Sequence, residues 1–212
     1  MAAPFRINPD VVPTDGDPHS WLPLTGHPPG EDGPGGCRLM WGVLRPTFGD
    51  YRPSLARFVI AKLAVAAPAG AAPWTVTAHR HDVLLPAHTG DHLLDPRALV
   101  ETAERERIPD AKAQAAYITL TSAPPTLHGQ FEVARNLARR LVDRFDVAVL
   151  LVQHVPSHNG GSALPHVHLI VPGPRAITPY STFGRPIAEL ARDKGRDLVL
   201  EHLAAIVAEV GR

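Results

Sequence analysis

Two periods of apolar spacing alternate along this chain, and each change of period marks an element. Arg38 to Leu44 (RLMWGVL) follows Gly35-Gly36 and reads as a short strand. Leu55, Phe58, Val59, Leu63 and Ala66 then recur at helical spacing, predicting a helix over 53–67 with Pro53 in its first turn. Pro68 to Pro73 (PAGAAP) is a connector. Trp74 to Leu85 (WTVTAHRHDVLL) has period-2 character and predicts a strand or irregular hairpin. Asp95 caps a helix over 95–107, with Pro96 in its first turn. Ala115 to Ser122 predicts a strand that runs into a Pro turn. The strongest helix spans 126–145, where Leu127, Phe131, Ala134, Leu137, Ala138, Leu141, Val142 and Phe145 form one stripe. Asp146 to His154 (DVAVLLVQH) is nearly continuously apolar, as a buried central strand is. A loop over 156–165 leads to a second such strand, His166 to Val171 (HVHLIV). A last helix spans 186–210, with Gly195 as its weak point. The pattern predicts an α+β fold. A central, mainly antiparallel sheet carries the last two strands in its middle, with helices packed on one face.

Composition changes this picture at one end. Residues 1–36 hold 8 Pro and 6 Gly, with Arg6 set against Asp10, Asp15, Asp17, Glu31 and Asp32. Such a segment offers little to bury and predicts an extended, disordered acidic arm, leaving 37–212 as the folded domain. The chain's net charge of zero conceals this split, because the arm carries −4 and the body +4. Within the body, residues 38–63 set Arg38, Arg45, Arg52, Arg57 and Lys62 against Asp50 alone, a stretch suited to face phosphate. The single cysteine, Cys37, excludes an internal disulfide framework and a cysteine-rich zinc site. The start MAAPFRINPD lacks a secretory pattern, and no apolar run approaches the ~18 residues of a membrane span. The expectation is a cytoplasmic protein with no membrane partner.

The twelve histidines are the unusual count. His166 and His168 are two apart in a predicted strand, so both point to one face. Val167, Leu169 and Val171 point to the other. If the two central strands pair antiparallel, His154 at the end of one approaches the start of the next. Three neutral imidazoles hold a divalent ion and leave coordination positions open, and a packed or solvated role is the bland alternative. His79 and His81 form another i, i+2 pair with no third partner in the pattern. His158 lies in the loop, and nothing in the sequence sets Asp82 beside an imidazole.

The order of these parts resembles a known family. A strand running into a Pro turn (YITLTSAPP), a long amphipathic helix, a strand ending in a histidine (VAVLLVQH), a Gly/Asn loop, Pro165-His166-Val167-His168 and then Arg175 resemble the MobA/MobL relaxases of plasmid mobilisation, within the wider HUH endonucleases. The resemblance covers residues 115–175. It implies a divalent metal ion, Mg²⁺ or Mn²⁺ with Zn²⁺ as a further option, held by His154, His166 and His168. It implies single-stranded DNA at a transfer origin as the substrate, and a tyrosine that attacks the bound phosphate to give a 5′-phosphotyrosyl link and a free 3′ hydroxyl. Accessory mobilisation proteins would open the duplex, since the chain has no room for a helicase module.

The family's Ala-Ala-Tyr-Arg motif is missing from its expected place. Tyr51, followed by Arg52, is the nearest positional match for the nucleophile, and Tyr180 is the second candidate. Tyr117 follows Ala115-Ala116 but falls in a predicted strand, where packing is its role. Arg52, Arg175 and Arg185 are the candidate DNA contacts. Two other readings stay open: a relaxase-like protein that binds DNA without nicking it, and a histidine-dependent phosphoesterase. The HVHLIVPG run is superficially similar to the histidine-triad hydrolases, but position 170 is Ile where those proteins need a third alternating His.

Overall fold

In a computed structural model of the chain, residues 5–28, 30–121 and 126–210 are described. The Pro turn expected after residue 121 lies outside them. The strands are β1 (Phe5–Arg6), β2 (Leu24–Gly26), β3 (Arg38–Leu44), β4 (Arg80–Leu84), β5 (Ala115–Thr121), β6 (Val149–His154), β7 (His166–Pro172), β8 (Arg175–Ile177) and β9 (Phe183–Pro186). The helices are α1 (Leu55–Leu63), α2 (Pro96–Arg105), α3 (Leu127–Phe145) and α4 (Gly195–Val210). Seven strands form one antiparallel sheet in the order β1-β2-β3-β5-β7-β6-β4, and β8 pairs with β9 in a separate hairpin. The α+β class is as expected, and the two histidine strands lie inside the sheet as the fifth and sixth of its seven strands, β6 next to the edge strand β4. No helix among the described residues is long and apolar enough to cross a membrane.

The helices flank both faces rather than one. On the first face, Val167, Leu169 and Val171 of β7 and Val149 and Leu151 of β6 pack with Phe131, Leu137 and Leu141 of α3 and Leu203 of α4. On the second, Ile170, Leu150 and Tyr117 pack with Phe58 and Val59 of α1 and Leu99 of α2. The physical reason is the continuous apolar run of the central strands. A strand that is apolar at every position must be covered on both sides.

Local signals account for the helix boundaries. The side chains of Ser54, Asp95 and Thr126 each accept from a backbone N–H in the first turn of α1, α2 and α3. Pro53 therefore precedes α1 instead of lying in its first turn. α3 stops at Asp146, which adopts the left-handed conformation at φ 56°. The last helix begins only at Gly195. There the chain crosses closely over Trp41, and an added Cβ would lie 2.5 Å from its ring and 2.5 Å from the Glu189 carbonyl oxygen.

Within the acidic segment, residues 5–28 and 30–36 are described and carry ordered elements. Residues 5–28 add β1 and β2 to the sheet, and Trp21, Leu22 and Leu24 are buried in the second core. Gly42 in β3 makes room for them, since a Cβ there would lie 2.6 Å from Leu22 Cδ1. A few large apolar side chains suffice to dock a segment that is otherwise polar, and mean composition hides them. The division at residues 36 and 37 therefore crosses one continuous sheet. Trp21, with 1% of its surface exposed, gives a direct check. Trp21→Ala is expected to cost about 3–5 kcal/mol in a denaturant titration, whereas a residue on a free arm would cost nothing.

Candidate metal centre

The second face of the sheet changes character along its length. The row Tyr117, Ile170 and Leu150 lies under α1 and α2. The next row is Thr119, His168 and Val152, and beyond it His154 stands directly opposite His166 across β6 and β7. Cross-strand neighbours in an antiparallel pair bring their side chains close. Ring centroids are 4.5 Å apart for His154 and His168, 4.7 Å for His166 and His168, and 5.3 Å for His154 and His166. Each ring offers one nitrogen, and these three atoms lie within 4.8 Å of one another.

The opposite nitrogen of each ring is tied to an oxygen. His154 Nε2 lies 2.7 Å from the Lys62 carbonyl oxygen, so its N–H donates there. His166 Nδ1 lies 2.8 Å from the Leu164 carbonyl oxygen. His168 Nδ1 lies 2.9 Å from both the Tyr117 hydroxyl and Thr119 Oγ1. Such bonds fix ring orientation and leave His154 Nδ1, His166 Nε2 and His168 Nε2 turned inward, the arrangement that suits metal ligands. His168 Nε2 already approaches His154 Nδ1 to 3.2 Å. The donor set suits a divalent ion that takes imidazole, and three donors leave positions open.

Electrostatics favour neutral rings. Burial lowers the pKa of His154 to about 4, His166 is lowered by the same cause, and His168 is held well below the ordinary range. Burial also pushes the Tyr117 hydroxyl above its usual range, so it stays a phenol. Ligands that are already neutral surrender no proton when a metal arrives.

No protein-family model matches this chain, and no curated protein does. Among solved structures it is similar to one described as "Molecular Basis of Vancomycin Resistance Transfer in Staphylococcus aureus". The identity is 19% and the TM-score 0.47, with 64% of this chain and 72% of that one covered.

The other residues singled out in the sequence lie elsewhere. Tyr51 precedes α1, while the turn that meets the histidines is at the helix's far end. Its hydroxyl donates to Asp15 at 2.6 Å, and its ring packs 5.5 Å from Trp21. Tyr180 is 89% exposed in the turn between β8 and β9. That hairpin leaves β7 at the end remote from His166, and β7 is seven residues long, about 20 Å at about 3.3 Å per residue. Tyr180 and Arg185 are therefore not beside the triad. Arg175 fastens the hairpin instead of facing solvent: its guanidinium donates to the carbonyls of Gly184, Glu106 and Phe183. Arg52 is exposed before α1. Asp82 pairs with Arg135 at 2.9 Å and orients no imidazole, and His79 meets His158 edge to face at the surface. A cavity of about 400 Å³ lined by Arg45, Lys112 and Arg192 contains none of the histidines.

Two further residues join the site. The side chain of Lys62 is buried, and its Nζ lies 2.8 Å from His19 Nε2. The His19 ring lies 6.2 Å from that of His168. Burial lowers Lys62 to about 7, and burial beside Lys62 lowers His19 to about 4. The signal for Lys62 was its place on the apolar stripe of α1, where a lysine is out of character. His19 gave no signal, because its segment reads as a mobile arm.

These shifts set a pH dependence. A histidine whose folded pKa lies below its unfolded value binds fewer protons when folded, so stability rises with pH between the two values. The contribution is complete above about 6.5 and is lost as pH falls toward about 4. Lys62 acts with the same sign between about 7 and 10.5. The melting temperature of the metal-free protein is expected to fall from pH 7 to pH 5. In His168→Gln the slope of unfolding free energy against pH, from denaturant titrations, should be shallower by up to about 1.4 kcal/mol per pH unit.

Proposed function

We propose that this protein is a relaxase-like, metal-dependent protein that acts on single-stranded DNA at a transfer origin, with accessory mobilisation proteins opening the duplex. The observation that carries this reading is the convergence of three neutral imidazole nitrogens whose opposite nitrogens are all anchored. His154, His166 and His168 would hold the ion, with Mg²⁺ or Mn²⁺ the first choices and Zn²⁺ acceptable to the same donors. When bound, a divalent ion supplies positive charge that stabilises the charge developing on a phosphate oxygen. Tyr117 and Thr119 keep the inner nitrogen of His168 aimed at that position, and Lys62 does the same for His154 through its backbone.

Tyr51 is the proposed nucleophile, and its attack requires the segment before α1 to move toward the histidines. Its hydroxyl is already bonded to Asp15, which can accept the phenolic proton as oxygen attacks phosphorus. The P–O3′ bond breaks, the 3′ oxygen takes up that proton and leaves as a hydroxyl, and the 5′ phosphate stays on the tyrosine. One observation favours a second reading, DNA binding without nicking. Among the described residues, the tyrosine in contact with a triad histidine is Tyr117, and it is fully buried. Tyr51 meets Tyr117 only through the intervening rings of Trp21 and Phe58.

The test is incubation with labelled single-stranded DNA and Mg²⁺ or Mn²⁺, followed by denaturing electrophoresis. A DNA–protein adduct that disappears with chelator, in His166→Ala and in Tyr51→Phe is the expected result. Metal-dependent binding without an adduct would move the conclusion to the second reading. Loss of any metal dependence would end both.

A further inference from the structure

Lys62 has a role in this site that holding His154 does not exhaust. It lies on the apolar stripe of α1 with Leu55, Phe58 and Val59, and only 2% of its surface is exposed. Burying an ammonium costs several kcal/mol unless a partner compensates it. The partners here are weak ones. Nζ meets the His19 imidazole at 2.8 Å and lies 5.1 Å and 5.3 Å from the ring centroids of Phe58 and Tyr117. Among the described residues no carboxylate forms a salt bridge with it. Asp17 acts on it only through space.

Its position is specific. The Lys62 carbonyl holds His154, and the Tyr117 ring beneath its ammonium carries the hydroxyl bonded to His168. Two other cations of the basic stretch are committed elsewhere. Arg45 pairs with Asp193, and Arg57 pairs with Asp15 and lies over Trp21. His19 is solvent-accessible over the whole residue while its ring packs toward Lys62, and its neighbours Ser20 and Trp21 are buried and anchor the segment. A turn of the imidazole about its own side-chain bonds would free Nζ without unseating them.

We infer that Lys62 is a phosphate-contacting residue of the histidine site, its ammonium pairing with one non-bridging oxygen of the bound nucleic-acid backbone in place of the His19 imidazole. The inference rests on the DNA-binding reading above and adds the residue that recognises the anion. A compact ammonium suits a single oxygen, and a hydrogen bond between two charged groups is stronger than the amine–imidazole contact it replaces. The phosphate supplies the counter-charge that the buried cation lacks. The contact is blind to base sequence.

The test is fluorescence anisotropy of a labelled single-stranded oligonucleotide with the Mn²⁺-loaded full chain, across a salt series. Lys62→Met is expected to bind about ten-fold or more weakly, with the slope of log affinity against log salt shallower by about 0.7. The loss should be equal for unrelated base sequences. His19→Ala should bind at least as tightly as the unaltered chain, because the competing partner is gone. Thermal melting checks that each variant is folded, and Lys62→Gln provides a second neutral variant. Unchanged affinity and salt slope in either folded Lys62 variant would overturn the assignment while leaving the metal and DNA reading intact. If the unaltered chain bound no DNA with Mn²⁺ present, that reading and this inference would fall together.

Discussion

The antiparallel register of β6 on β7 is the constraint on which the site depends. It sets His154 opposite His166 and brings His168 onto the same face. The register is pinned from the other side of the sheet, where Val167, Leu169 and Val171 are buried under α3. A slip of one residue would turn those side chains toward the open face and drive the histidines into the core. The cost of that exchange is hydrophobic and large, so metal-ligand geometry is enforced by packing that has no chemical role. Ligands fixed on central strands are also held more precisely than ligands on loops.

Around this rigid pair, other parts of the chain supply oxygens and charge. The Lys62 carbonyl, the Leu164 carbonyl and the hydroxyls of Tyr117 and Thr119 each constrain one imidazole. Lys62 also discourages protonation of the rings by charge repulsion. In the proposed reading, the group that adds to burial in keeping protons off the histidines would also draw an anion to them, so an uncharged ligand set would face a negatively charged substrate.

Much of the centre was legible in the sequence, and the reasons are local. The run DVAVLLVQH and the alternation in HVHLIV each carry their own periodicity, and α3 displays its full stripe. The edges were not legible. β1 and β2 are two and three residues long, too short for a period to register. Their anchors, Trp21, Leu22 and Leu24, are scattered among prolines and charges. The hairpin of β8 and β9 is similarly short, and missing it left Arg175, Tyr180 and Arg185 apparently close to the histidines. Lys62 was counted with a basic stretch, although its place on the apolar stripe of α1 already pointed its side chain inward. That follows from helix phase combined with tertiary packing.

The site draws on His19, Lys62, Tyr117 and Thr119, and the His154–His168 strand pair, four segments spread over nearly the whole chain. A growing polypeptide leaves the ribosome from its N-terminus and cannot pair β7 before β7 has been made. The segments before β5 hold the cation and its imidazole partner but none of the converging histidines. The candidate metal site and the proposed anion contact would therefore be completed together, when β7 slots between β5 and β6. A chain stopped before β7 would carry a lysine on a hydrophobic helix face and no reason to bury it.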